Sequence, residues 1–362
     1  FTVSVTLIIG TIIVYRQIQH AKNRPIGYDR EGLVSVQMNT ADIHDHYQAF
    51  RSDLIKTGAV LEIAESYSPL TGVWSNNSGY DWEGKDPNLQ DDFGNIGVSH
   101  EYGKTVGWQF KYGRDFSRAF ATDSTSFVLN ESAVKFMGLK NPVGAIVRIG
   151  TEQHKVVGVI KDVLMSSPYE PVKPTIFYLA AFAGDFVHFR LKPQLSAPDA
   201  LKRIEPIFRK YSPGTPFDYK FVDQEFAKKF DGEERIGKLS GVFASLAIFI
   251  SCLGLFGLTS FMAEQRTKEI GVRKVLGASV FNLWQLLSKD FVRLVIISFL
   301  ISAPVAGYFM KNWLQKYDYR TELSWWIFAV AGLGALVITV LTVSFQAIKA
   351  ATANPVKSLR TE

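Results

Sequence analysis

LSGVFASLAIFISCLGLFGLTSFMA, residues 239–263, runs for 25 residues without a Lys, Arg, Asp or Glu. A helix rising ~1.5 Å per residue over that length crosses the ~30 Å hydrocarbon core of a bilayer. Leu323–Ile348 repeats the pattern. Leu294–Met310 is shorter, but Arg293 and Lys311 stand where they can snorkel to the two interfaces. Phe1–Tyr15 is apolar and short, and it reads as a span whose start is missing, so the natural chain is expected to continue upstream. Three such runs in the last third of a soluble chain would have no core large enough to enter. The expected fold class is a multi-domain membrane protein: an α-helical bundle of four spans plus an α+β extracytoplasmic domain.

The whole-chain averages hide this. Over 362 residues, 47% are hydrophobic and 20% charged, as in an ordinary globular protein, but the apolar residues gather at the two ends. The net charge is +6 without basic runs interleaved with aromatics, which sets nucleic acid aside as a partner. One cysteine, Cys252, excludes a disulfide within the chain.

The middle alternates strand and helix signals. Leu33–Met38 and His188–Leu191 read as strands, Val147–Val159 as two strands about a turn at Gly150–Glu152, and Asp42–Lys56 and Asp199–Tyr211 as helices. Asn130 to Ala133 reads as a helix start, and Ser66–Asp92 as an irregular loop. Without a strict βαβ rhythm this favours α+β. The boundaries follow: a first transmembrane helix over 1–22, an extracytoplasmic domain over 23–223, a stalk helix over 224–238, and spans over 239–263, 290–312 and 323–348. A cytoplasmic segment occupies 264–289 and a cytoplasmic tail 349–362.

Arg266, Lys268, Arg273, Lys274 and Lys289, with Lys349, Lys357 and Arg360, put that segment and the tail in the cytoplasm by the positive-inside rule. The stalk carries Glu225, Lys228, Glu233, Glu234 and Arg235 and runs straight into the second span. It reads as a rigid rod weakened at Gly232, or else as a flexible tether. Gly237, Gly241, Gly254 and Gly257 lie along the second span, where small residues let helices approach closely in lipid. Pro304 is expected to kink the third span. No ionisable residue lies well inside the last three spans, which argues against an ion or proton pathway.

AEQRTKEIGVRKVLGASVFNLWQLLSK, residues 263–289, is the most informative stretch. Ile270, Val272, Val275, Leu276, Phe281, Leu283, Leu286 and Leu287 give an apolar side to otherwise basic helices, a pattern that lies along a membrane face. EQRTKEIGVRKVLGAS, at Glu264–Ser279, resembles the signature of the FtsX-like and MacB-like permeases of ABC transporters. The tail Ala353–Arg360 resembles the family's usual end. Leu129–Ala133, Asn141–Gly144 and Val156–Asp162 resemble the family's periplasmic core domain.

The resemblance implies a mechanism. A cytoplasmic ABC ATPase subunit would dock on the coupling segment, with Glu264, Arg266, Lys268, Glu269, Arg273 and Lys274 as polar contacts. Ile270, Gly271, Val272, Leu276 and Gly277 would shape the docking surface. ATP and Mg would be used by that partner, and this chain would bind no cofactor and hold no catalytic residue. A second permease unit, as a tandem half or a homodimer, a periplasmic adaptor or enzyme, and membrane lipid are the other implied partners. The start inside the first span fits the second half of a tandem permease.

No phosphate-binding G-x-x-x-x-G-K-[ST] stretch is present, as expected if a separate chain hydrolyses ATP. Asp42, His44, Asp45 and His46 match no standard metal-ligand spacing. Tyr80–Gly84 is an acidic-aromatic stretch that either binds a partner or packs Trp82 in the core. Two functions stay open: export or extraction of a hydrophobic compound, peptide or lipoprotein, and ATP-driven activation of an extracytoplasmic enzyme such as a cell-wall hydrolase.

Overall fold

The structure, a computed structural model, describes residues 1–181 and 184–352. The chain opens with helix α1 (Thr2–Lys22), then β1 (Leu33–Gln37), α2 (Asp42–Asp45), α3 (Tyr47–Lys56) and β2 (Val60–Ser66). Next come β3 (Asn76–Asn77), β4 (Tyr80–Trp82), β5 (Phe93–Val98), α4 (Tyr102–Val106), β6 (Phe110–Gly113), β7 (Ser126–Asn130) and α5 (Glu131–Met137). The sheet continues with β8 (Ile146–Ile149), β9 (Glu152–Ile160), β10 (Thr175–Leu179) and β11 (Phe186–Leu191), followed by α6 (Ala197–Tyr211) and β12 (Tyr219–Phe221). The chain closes through α7 (Val222–Ala227), α8 (Asp231–Gln265), α9 (Thr267–Val275), α10 (Val280–Leu314) and α11 (Trp325–Thr352). Two compact units result: residues 24–229, and residues 1–23 with 230–362.

The first unit is built on one mixed sheet of order β12-β1-β11-β2-β5-β10-β7-β9-β8-β4, with β3 on β5 and β6 on β9. Among the described strands β10 with β5 and β7 with β9 run parallel and the other pairs are antiparallel, which makes the unit α+β. Along β1 the pleat sends alternate residues to opposite faces. Val34 and Val36 enter a core with Phe50 and Leu54 of α3, Phe189 of β11 and Ile204 and Phe208 of α6. At the other end Tyr80, Trp82, Phe93, Phe127 and Val147 form a second core under α5.

The outer motifs singled out in the sequence hold this framework together. Buried Asn130 caps α5, its Oδ1 accepting from Ala133 N and Thr175 N at 2.9 Å each. Asp162 accepts from Ser132 N and Oγ at 2.7 Å each. Gly158 admits no side chain, since a Cβ there would stand 2.2 Å from the Arg114 carbonyl oxygen.

In the second unit α1, α8, α10 and α11 are the helices long and apolar enough to cross a membrane among the described residues. Helix α1 continues past Tyr15 to Lys22. Val5, Ile9 and Ile13 pack with Val295 and Ala306 of α10 and Ile327 and Ala331 of α11. Buried Gln17 ties α1 to the turn before α11: its Nε2 donates to Tyr319 O at 2.9 Å and its Oε1 accepts from Thr321 N at 2.8 Å. In hydrocarbon surroundings such paired contacts satisfy backbone groups that lipid cannot.

Several expectations are corrected. The stalk is helical throughout 224–238 but not uniform: α7 ends at Ala227, a 3-10 turn follows over Lys228–Phe230, and α8 begins at Asp231. The 3-10 turn comes where Lys229 turns its ammonium to Thr71 O at 2.7 Å, and Gly232 lies in the first turn of α8 just after it. Asp42–Lys56 is two helices interrupted at His46. Ser66–Asp92 contains β3 and β4, and Tyr80 and Trp82 are buried, with Trp82 Nε1 donating to Met137 O at 2.9 Å. The partner-binding reading of those aromatics therefore fails. Helix α10 runs unbroken from Val280 through Pro304, so the helix that carries the third span begins within the stretch assigned to the cytoplasmic segment. The tail motif at 353–360 lies outside the described residues.

Of the second-span glycines, Gly237 alone is closely met, with Ile18 Cδ1 3.3 Å from its would-be Cβ; nothing lies within 4 Å at Gly241, Gly254 or Gly257. At ~100° per residue, Ala244, Ser251, Leu255 and Thr259 share the face of Gly237, while Gly254 and Gly257 point elsewhere. Ser251 meets Ser4 of α1 at 2.8 Å on that face.

His188, fully buried on β11, bridges Ser35 through Nδ1 at 2.7 Å and Ser66 through Nε2 at 2.8 Å. Burial pushes its pKa down to about 3. The folded state therefore resists a proton that the unfolded chain takes up below pH ~6.5, and stability falls as pH drops from there toward 3. Between pH 6.5 and 5 the loss is about 2 kcal/mol. In His188→Asn, which keeps a polar group in place of Nδ1 and removes the titrating ring, thermal melts across that interval are expected to flatten by about that amount.

Candidate coupling elbow

Helix α8 ends at Gln265, and Arg266 turns the chain into α9, its guanidinium 3.7 Å from Asp290 of α10. Within α9, Glu269 and Arg273 pair one turn apart at 2.7 Å. The helix then stops by a complete Schellman motif: Ala278 N donates to Arg273 O at 2.9 Å and Gly277 N to Lys274 O at 3.1 Å. Gly277 adopts φ +88°, open to glycine and strained for other residues. Ser279 then caps α10, its Oγ accepting from Asn282 N at 3.2 Å. The sequence L-G-A-S is thus a stop followed at once by a start, which makes a tight corner.

The corner is anchored from inside. Ile270 is buried with Leu283 and Ala347, flanked by Ala278 and Trp284, and Trp284 Nε1 donates to Ser344 Oγ of α11 at 2.7 Å. Gly271 is buried beside Ile270. On the outside, Val272, Val275, Leu276, Val280 and Phe281 are exposed, Leu276 at 80%. The expected single apolar side is corrected: the apolar residues split between an inner anchor and an outer tip.

The predicted contacts divide accordingly. Glu264, Lys268, Glu269 and Arg273 are exposed, Arg266 and Lys274 half-buried, Val272 and Leu276 at the tip, Ile270 and Gly271 inside, and Gly277 at the corner. Val275, Val280 and Phe281, absent from the expected docking set, complete the tip. Asp290 was missed as the partner of Arg266, although a lone acid at the mouth of an apolar run is a visible signal. Of the stalk set, Glu225 pairs with Lys228 at 2.6 Å, and Glu234 pairs with Lys22 and lies 4.0 Å from Lys238. Glu233 is half-buried and Arg235 exposed.

Comparison with known families now adds to this geometry. The MacB-like periplasmic core domain matches residues 1–207, and the FtsX-like permease C-terminal domain matches residues 241–355. The chain belongs to the MacB/FtsX-like family of ABC transporter permeases. This permease is 23% identical over 280 residues to the macrolide export ATP-binding/permease protein MacB of Chromobacterium violaceum, covering 74% of this chain and 43% of that protein. It is also 23% identical over 283 residues to the ABC transporter permease YknZ of Bacillus subtilis, covering 74% of this chain and 69% of that one. The permease thus spans less than half the length of that MacB. The periplasmic region of MacB from Actinobacillus actinomycetemcomitans aligns with 59% of the permease and 96% of itself, at 14% identity and a TM-score of 0.40.

Gly277→Ala meets no atom within 4 Å and so tests backbone conformation alone. The left-handed conformation costs an L residue about 1–2 kcal/mol. Hydrogen exchange at the amides of residues 277 and 278 is expected to quicken about tenfold, with a smaller change in Gly277→Asn.

Proposed function

We propose that this permease couples ATP hydrolysis by a separate cytoplasmic ABC ATPase to movement of its extracytoplasmic domain, for export or extraction of a substrate. The observation that carries this reading is the exposed tip of Val272, Val275, Leu276 and Phe281 on a corner fixed from within. An apolar cluster of this kind marks an interaction surface, and the basic residues Lys268 and Arg273 beside it suit an acidic rim on a partner. The anchor at Ile270, Leu283 and Ala347 makes a push on α9 a push on α10 and α11. The Arg266–Asp290 pair adds a second tie between the end of α8 and α10.

In this mechanism ATP and Mg belong to the ATPase, and a second permease unit completes the machine. The elbow faces the cytoplasm, in keeping with its basic charge, and residues 24–229 lie outside. The macrolide-export proteins among the relatives support a hydrophobic compound as cargo.

The test is co-purification with the candidate ATPase from membranes. Arg273→Glu with Lys274→Glu, and separately Leu276→Glu, are expected to lower ATPase stimulation at least tenfold without changing membrane insertion. Undiminished stimulation in both variants would overturn the assignment of the elbow.

A further inference from the structure

A cavity of about 420 Å³ opens within the unit of residues 24–229, on the face of the sheet that α3 and α6 do not cover. That volume falls in the range of small-molecule sites. Its floor follows from the pleat of β1. Ser35, Gln37 and Asn39 recur at every second position and line the cavity, while Val34, Val36 and Met38 face the core behind them. Phe186 stands opposite Gln37 on β11, and Lys220 stands opposite Ser35 on β12. Trp74 closes one side, 56% exposed and edge-on to Phe186 with centroids 4.7 Å apart.

The floor and the wall share one hydrogen-bond chain. Ser66 Oγ donates its single proton to Ser68 O at 2.6 Å, so it accepts from His188 Nε2. His188 Nδ1 then carries the lone pair, and Ser35 Oγ donates to it. The oxygen lone pairs of Ser35 are left for whatever enters the cavity. At the other end of the chain, Ser68 Oγ accepts from Trp74 N at 3.1 Å and fixes the base of the wall. Burial keeps His188 neutral through the physiological range, so this polarity does not invert near neutral pH. The loop between is held too: Lys229 donates to Thr71 O at 2.7 Å and Tyr28 Oη to Leu70 O at 3.3 Å.

We infer that this cavity is a saccharide-binding site, with Trp74 as the stacking platform and Ser35, Gln37, Asn39 and Asp218 as the polar contacts. A pyranose carries C–H bonds on its faces and hydroxyls around its edge. The electropositive C–H face suits an indole π-face, and the edge hydroxyls need donors and acceptors in one plane, which a row of polar side chains on one sheet face supplies. Asp218 and Lys220 offset each other, and Glu225 on the rim is paired with Lys228. A neutral polyhydroxylated ligand uses both signs, whereas a strongly charged one would meet no matching field.

This inference does not depend on the ATPase reading, because binding is measured with the permease alone. The full chain, in nanodiscs free of sugar detergents, is titrated with chitotriose and with maltotriose by calorimetry and saturation-transfer NMR. A tripeptide of similar size is the comparator. The two sugars separate N-acetylated amino sugars from plain hexoses. Saturable binding of at least one sugar is expected, weakened at least tenfold in Trp74→Ala and severalfold in Asp218→Asn. Both side chains are exposed, so thermal melts should not change. No saturable sugar binding, sugar binding undisturbed in Trp74→Ala, or saturation by the tripeptide alone would overturn it.

Discussion

Hydrocarbon offers a peptide group no hydrogen-bond partner, and the architecture follows from that constraint. A single pass through the bilayer must satisfy its own backbone hydrogen bonds, which the four apolar segments do as helices, and irregular backbone is confined to the ends of the spans or to protein-lined sites. Helix α8 has 35 residues and is about 52 Å long at ~1.5 Å per residue, well beyond the ~30 Å that lipid requires. The surplus, Asp231–Lys238, is polar and extends the span outside hydrocarbon. Helix α10 also has 35 residues and likewise carries its surplus ahead of its apolar stretch, from Val280 to Lys289. The turn before α11 is polar backbone near the membrane, and Gln17 satisfies two of its groups from a neighbouring helix.

The spans were legible because charge-free length is a one-dimensional signal. The strands of the outer unit were legible where β-branched residues alternate or cluster beside a turn signal, as in Leu33–Gln37 and Glu152–Ile160. What could not be read depended on partners distant in sequence. Nothing local in Gln224–Lys238 announces that Lys229 will turn to Thr71 or that a 3-10 turn will stand at Lys228–Phe230, two residues before Gly232. Gly254 and Gly257 show the same limit: composition says that close approach is allowed, and only the helical phase says on which face a neighbour stands.

The elbow was legible as a motif but not as a mechanism of shape. Its glycine and serine are consecutive punctuation, a Schellman stop at Gly277 and a cap at Ser279, and both follow from backbone rules. The division of its apolar residues into an anchor and a tip does not follow from periodicity, because Ile270 and Val272 look alike in sequence. Burial of Ile270 by Ala347, 77 positions away, decides it. The proposed coupling requires stiffness and exposure together. A tip without the anchor would yield under load, and an anchor without the tip would give a partner nothing to hold.

A similar division runs through the outer sheet. On one side of β1 and β11 Val34, Val36, Val187 and Phe189 are apolar and covered by helices; on the other, Leu33 and Ala64 belong to a core, and farther along the same face Ser35, Gln37 and His188 are polar. A fully buried histidine on a strand costs stability in acid, and packing alone would be served by an apolar residue at that position. Its value lies in the two hydroxyls it orders: Ser66, which helps set the Trp74 loop through Ser68, and Ser35, which faces the cavity. The histidine thus fixes wall and floor relative to each other. That is the economy expected where shape has to be set before a ligand arrives rather than by the ligand itself.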